Sequence, residues 1–525
     1  MIQNKGLVEF MLCNQGEILE QTFEHIGLTL ISLTISLIIG IALGIFISWN
    51  KSLKNFVLGF VSVIQTIPSI ALLGFLIPLV GIGPVPAIIA LFLYALLPIV
   101  RNTCTGIEEV DPSVKEAAKG MGMSNLQILT RIELPLAVPV IFAGIRTATV
   151  LSVAIATICA YIASGGLGKF IFRGIALNDT NMILAGAIPA ATLAIFFDFS
   201  LGIVQKYITQ IVKPLIIFLI LLVFIIVPFV FIPSLFENSF KAGFVPEFME
   251  REDGYQGLIK CYGLKLKTKE LESQLMFQAL KDKQVDLISG NFTDGRIKAY
   301  KFQILEDDKH FFPPYYAVPV INGKTLRKYP VLRKIFSNIE GKISNKKMAE
   351  LNYRVENNKE SPHEVAKDFL NELGLKTSRE DRGKADIIVG SKNFTEQFIL
   401  AEIFSILIEN YSNLNVELKK GLAGTKICFD ALKNGEIDLY PEYTGTGFFV
   451  ILHGGEAPEQ RSLQIEELYD FVKQESKKRF DVNWLEPLGF NNTWVLVMRE
   501  DEAKKFNIKT ISDLKKFLED QAKKD

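Results

Sequence analysis

A chain of 525 residues that is 49% hydrophobic, with a mean hydropathy of +0.26, is too apolar for an ordinary soluble protein. Lys plus Arg and Asp plus Glu both total 57, so there is no basic excess of the kind a nucleic-acid binder carries. The four histidines, His25, His310, His363 and His453, lack metal spacing and the five cysteines form no CxxC pair. No catalytic residue, metal ligand or cofactor is therefore expected in the chain itself.

The first 27 residues hold Glu9, Glu17, Glu20 and Glu24 and no basic start leading into a short apolar core, so no cleavable signal peptide is expected. Six stretches then suit membrane spans, at about 28–49, 56–80, 84–100, 139–163, 182–204 and 214–235. Arg146 falls near one end of the fourth, where its side chain can snorkel to the interface. Asp198 is an acid embedded in the fifth, either hydrogen-bonded inside the bundle or lining a path through it.

Alternate loops carry Lys51 and Lys54; Arg101, Lys115, Lys119 and Arg131; and Lys206 and Lys213, while the other side has Lys5, Lys169 and Arg173. The positive-inside rule puts the first set in the cytoplasm and delivers everything after about residue 235 to the external face.

Between the third and fourth spans the cytoplasmic loop reads EAAKGMGMSNLQILTRIELP. Glu116, Ala117 and Ala118, then Gly122, then Ile132, Leu134 and Pro135 set a helix, a glycine turn and a second helix that Pro135 stops. The pattern resembles the coupling loop of permease subunits of binding-protein-dependent ABC importers, which a cytoplasmic ATPase subunit grips. The chain has no GxxxxGKS or GxxxxGKT phosphate loop, and GLAGTK at 421–426 lacks the spacing. ATP and Mg are thus expected on a separate partner subunit.

Charged, mixed sequence fills 236–525. DIIVGSKNFTEQFILAEIFSILIEN, from Asp386, reads as a buried strand and a helix entered through a capping box of Asn393 and Glu396, with Gln397 in the first turn. SGNFTDGRI at 289–297, EDDKHFFPPYYAVP at 306–319, EIDLYPEYTGTGF at 436–448 and LGFNNTWVLVM at 488–498 each end a strand with an aromatic beside turn residues. These blocks resemble the binding proteins of osmoprotectant ABC importers for glycine betaine, choline or carnitine. The resemblance implies a helical permease domain (1–235) fused to a two-lobed α/β domain of the type II periplasmic-binding-protein class (236–525).

In that family the SKNFTEQ block opens the domain, whereas here the half carrying FFPPY (236–375) precedes the half carrying SKNFTEQ (385–525). A circular permutation joined through the polar 376–384 accounts for this, and two remnants of a truncated tandem are the competing reading.

A quaternary ammonium has no N–H to donate, so aromatic faces suit it, each contributing roughly 0.5 to 2 kcal/mol. The resemblance puts cage aromatics at Tyr443, Trp494 and Tyr315, and carboxylate donors at Gln397 and Thr446. A fourth wall would fall at Asn291, or at Phe292 one place later. Tyr316, Phe312 and Trp484 read as packing, Asp294 with Arg296 as an ion pair or turn cap, and Cys261 with Cys428 as open. The whole implies an importer subunit of a bacterial cytoplasmic (inner) membrane, paired with itself and two ATPase subunits. An importer of another small amino-acid-like solute, or a membrane sensor using the same cleft, are the alternatives.

Overall fold

The computed structural model describes residues 6–177, 179–207, 240–377, 383–422, 424–452 and 465–522. Apart from a few residues around 177, the chain divides into one compact unit up to 239 and another from 240 onward.

The first unit is helical. Long apolar helices run over α1 (Gln15–Ser48), α2 (Lys51–Thr66), α3 (Ser69–Val80), α4 (Pro84–Glu108), α5 (Pro112–Gly120), α6 (Asn125–Ile128), α7 (Leu134–Cys159) and α8 (Thr180–Tyr207), the two short ones, α5 and α6, lying in the loop. Four described helices are long and apolar enough to cross a membrane, or five if α2 and α3 count as one broken span. That pair covers the stretch expected as a span at 56–80, and its halves meet at 96°. Pro68 forces Ile67 into an extended conformation, ψ 127°, and the helix cannot continue through it. The expected sixth span, 214–235, lies outside the described residues. Where α1 crosses α4, a Cβ on Gly44 would lie 2.5 Å from Thr103, so the missing side chain is what lets the two backbones approach.

The loop from Glu116 to Pro135 is an elbow, as its spacing implies, with one correction. Asp111 caps α5, Gly122 takes the left-handed turn at φ 82°, and Ser124 forms a capping box with Gln127. Pro135 does not stop the second helix. A π turn over Leu129–Glu133 passes it into α7, where proline occupies a first-turn position that needs no N–H donor. Arg146 consequently sits midway along α7, not near an end.

The second unit holds two five-stranded sheets, built from β1 (Lys241–Phe244), β2 (Lys267–Glu270), β3 (Leu287–Asn291), β4 (Phe302–Leu305), β5 (Ala317–Asn322), β6 (Ile387–Lys392), β7 (Val416–Leu422), β8 (Leu439–Tyr443), β9 (Val482–Trp484) and β10 (Trp494–Arg499). Their orders are β2-β1-β3-β10-β4 and β7-β6-β8-β5-β9. In each, parallel strands from one half of the unit receive an antiparallel strand from the other half. The inner strands β3, β5, β6, β8 and β10 are short and almost wholly buried, because helices cover both faces there, whereas β2 and β7 at the sheet edges are charged and more exposed. The chain thus crosses between lobes twice, from β4 to β5 and from β9 to β10. Strands β1 to β5 and β6 to β10 repeat one plan.

Trp484 is fully buried among Val472, Phe448 and their neighbours, as its packing role implies. Cys261 and Cys428 are free thiols belonging to different cores, and burial pushes the Cys428 thiol up to about 12.

Candidate ligand-binding cleft

The two crossings lie side by side and bond to each other. Asn492 N–H donates to the Tyr315 carbonyl at 2.9 Å, Tyr315 N–H to Asn491 Oδ1 at 2.7 Å, and the Thr493 hydroxyl to the Pro313 carbonyl at 2.7 Å. Paired links of this kind between two lobes are where a hinge can turn. The carboxyl ends of β3, β6 and β8 converge beside them, the place where α/β sheets expose side chains to a ligand.

Tyr315 is buried, with its ring seated on Gly445: a Cβ there would come within 2.6 Å of the ring. Its hydroxyl bonds Asp253 and receives a bond from Arg251, which itself grips Asp253 through two bonds of 2.8 and 2.7 Å. Burial drives the phenol well above its ordinary range, and the Arg251 charge opposes that only in part. Burial also works against the Arg251 charge, but the Asp253 carboxylate outweighs it and holds the guanidinium ionised.

Trp494 opens β10 directly opposite Asn291 and stacks obliquely on Phe248 at 5.1 Å. Its indole faces the Tyr315 phenol, which it helps to ionise, and the indole Nε1 is buried. Tyr443 ends β8 beneath Phe394, with ring centroids 6.4 Å apart, and Lys392 Nζ lies 5.1 Å from its ring. Lys392 in turn is buried against Glu442 at 2.6 Å.

Glu396 was expected as half of a capping box. It caps nothing: the first turn of its helix, α9 (Thr395–Tyr411), has no side-chain cap. The carboxylate turns inward and accepts from the Tyr443 hydroxyl (2.7 Å), Thr293 Oγ1 (2.5 Å), Asn352 Nδ2 (2.9 Å) and Asn492 Nδ2 (2.8 Å). Burial raises its pKa while these four donors pull it down. Thr293 belongs to the β3 lobe and Tyr443 to the other, so one buried acid ties the lobes together.

The remaining expected positions divide. Gln397 is fully buried and committed to backbone, accepting from Lys392 N–H at 3.1 Å and donating to the Pro441 carbonyl at 2.8 Å. Thr446 is buried in the turn after β8. Asn291 ends β3, and Phe292 is 41% exposed, so Phe292 does not close the side that Asn291 leaves open. Asp294 both caps its turn and pairs with Arg296 at 2.7 Å. Arg251, Asp253, Lys392 and the role of Glu396 escaped the sequence reading. The available signal was an Arg and an Asp two residues apart, directly after the short helix Pro246–Glu250 that follows β1.

In the helical unit, Glu116, Ala117, Gly122 and Pro135 are exposed, Ala118 is buried, and Ile132 and Leu134 are half-buried. Met121 and Leu126 are 81% and 66% exposed at the elbow's tip. Lys115 ties its base to the bundle through Glu133 at 3.0 Å and the Ile107 carbonyl at 2.8 Å. Among the described residues no cluster of His, Cys, Asp or Glu could hold a metal ion.

Residues 36–214 match the family described as the binding-protein-dependent transport system inner membrane component. Residues 234–372 and 385–525 match the substrate binding domain of ABC-type glycine betaine transport systems. The chain is similar to the choline transport system permease protein OpuBB of Bacillus subtilis, 43% identical over 203 residues, 39% of this chain and 94% of the relative. It is similar to the osmoprotectant import permease protein OsmW of Salmonella typhimurium, 44% identical over 207 residues, 38% and 96% of the two chains. A third relative, the ergothioneine transport permease/ergothioneine binding protein EgtU of Helicobacter pylori, is 27% identical over 482 residues, 65% of this chain and 87% of its own.

Proposed function

Because the chain belongs to the glycine betaine type of ABC importer, with permease and substrate-binding domain in one polypeptide, we propose that it captures a quaternary-ammonium zwitterion on the external face and imports it. What supports this is that Tyr315 and Tyr443 share one core cluster with Trp494 packed against it, and that the buried Arg251 guanidinium lies 5.7 Å from the Tyr315 ring. Aromatic faces attract a diffuse cation that cannot hydrogen-bond, and a planar donor fork suits the carboxylate at the other end. Thr446, the second Gln397 N–H and Arg251 serve as carboxylate donors, Arg251 by exchanging Asp253 for the ligand. Asn291 and the outward Phe292 leave one wall open.

ATP hydrolysis falls to a separate ABC ATPase subunit that seats the elbow from Glu116 to Pro135, with Met121 and Leu126 as its apolar tip. Two copies of the chain form the path. The second half of the chain is a circularly permuted binding domain, with its seam in 376–384. The repeat supports this: exchanging β1–β5 for β6–β10 in chain order leaves the same two sheets.

The open wall favours a second reading, a bulkier betaine such as the ergothioneine of the EgtU name. Calorimetric titration of the full chain in lipid nanodiscs with glycine betaine, carnitine, choline, ergothioneine, proline and methionine separates these. Tight binding of a quaternary amine, weakened about 3- to 30-fold in Trp494→Ala or Tyr443→Ala, is the expected result. Binding of proline or methionine alone would overturn it.

A further inference from the structure

Arg146 and Asp198 do not behave as sequence position suggests. Arg146 Nε and one terminal nitrogen donate to the two Asp198 oxygens at 2.9 and 2.7 Å, a bidentate pair joining α7 to α8 midway along α7. The Gln205 amide supports it, accepting from Arg146 at 3.4 Å while donating to the Pro139 carbonyl at 2.8 Å. The other described ion pairs of this unit, Lys54 with Glu108, Lys115 with Glu133 and Glu17 with Lys169 and Arg173, lie near the ends of the long spans or in the connections between them.

The pair is not sealed. The Arg146 and Asp198 side chains are 35% and 43% exposed, and they line an open groove of about 430 Å³ together with Ala143, Thr147, Val150 and Leu151. Charge facing hydrocarbon is costly, so intramembrane pairs turn toward protein or a water-filled path. A volume of this size is in the range of small-molecule sites.

We infer that the Arg146–Asp198 pair is a second, weaker ligand site within the membrane unit, where a small net-neutral zwitterion binds with its carboxylate on Arg146 and its cation on Asp198. The proposal rests on capture of such a zwitterion by the binding domain. Both charges of the site exchange one partner for another, so neither is left bare and no net charge enters the low-dielectric interior. Choline, a cation without a carboxylate, would occupy Asp198 and strand Arg146. Weak binding also suits the role, because a site along a path must release what it holds.

The test is equilibrium dialysis of radiolabelled glycine betaine against the full chain with its ATPase partner in nanodiscs, counting equivalents per chain, with proteoliposome uptake measured in parallel. Two equivalents are expected, one tight and one weak, and choline should fill only the tight one. Arg146→Gln should abolish the weak equivalent, leave the tight Kd within about twofold and cut uptake at least tenfold; Tyr443→Ala should weaken the tight equivalent alone, by about 3- to 30-fold. If Arg146→Gln fails to reach the membrane, Arg146→Lys, which keeps the charge and loses the fork, should weaken the second equivalent several-fold. A single equivalent in the native chain, or a weak equivalent indifferent to both Arg146 variants, overturns the second site while leaving the first intact. Absence of any glycine betaine or choline binding instead refutes the reading of the binding domain, and the proposal with it.

Discussion

At the scale of single residues, the cleft separates ring from hydroxyl. Tyr443→Phe keeps the aromatic face and removes one of four donors to Glu396, whereas Tyr443→Ala removes the face itself. If the face binds the cation, Tyr443→Ala should weaken a quaternary-amine ligand by about 3- to 30-fold, the equivalent of roughly 0.5 to 2 kcal/mol. Tyr443→Phe should cost clearly less affinity. Titration of both variants checks this, and equal losses would assign the binding to the hydroxyl.

Glu356 offers a pH test. It lies at the end of the helix Asn345–Glu356, buried, with its carboxylate 3.9 Å from Arg296. Burial first, and the nearby Asp294 second, raise its pKa from 4.5 to about 8. Between those values the folded form keeps a proton that the unfolded form has lost. Stability from this group is therefore complete below about pH 4.5 and is lost as pH rises toward 8, by up to about 1.4 kcal/mol per pH unit. Thermal midpoints at pH 5, 6.5 and 8 should fall more steeply in the native chain than in Glu356→Gln. Parallel curves would remove Glu356 from the account.

The aromatics could be found from sequence because each stands at a strand end inside a recognisable block. Arg251 and Asp253 could not, since what gives them a role is Tyr315, brought close only by the β4 to β5 crossing. Glu396 misled because spacing alone satisfies a capping rule, while four donors from both lobes draw the carboxylate elsewhere.

Among the elements, apolar length found the helices, but it did not find their continuity. A run of uncharged residues reads alike whether it is straight or, as at Pro68, bent by 96°. Helix punctuation failed in the opposite sense at Pro135, because a π turn shifts the hydrogen-bond register by one and carries the helix through. The elbow itself was legible in its glycine and capping signals. Its exposed tip gives a prediction at this scale: Met121→Asp with Leu126→Asp should abolish ATP-driven uptake and leave ligand affinity within about twofold. Undiminished uptake would move the ATPase contact elsewhere.

For the whole molecule, the repeat of β1–β5 in β6–β10 means that chain order and architecture are separable. A chain rejoined with 385–522 ahead of 240–377 should give the same circular dichroism and bind ligand within about threefold of the native order. Failure to fold would favour the truncated-tandem reading over permutation. Sequence blocks raised the question of order, and the strand orders of the two sheets are compatible with either one.

The placement of β10 also sets a timetable for synthesis. The lobe of β5 to β9 is contiguous in the chain and can close as soon as it leaves the ribosome. Its neighbour cannot, because β10 fills the slot between β3 and β4. From the translation of residue 305 until β10 emerges nearly two hundred residues later, both flanking strands wait with unpaired edges, open to wrong partners. In a chain with 385–522 ahead of 240–377 the other lobe would be the one kept waiting. Rejoining the chain in that order would therefore leave the finished sheets alike and change which half is vulnerable while it is being made.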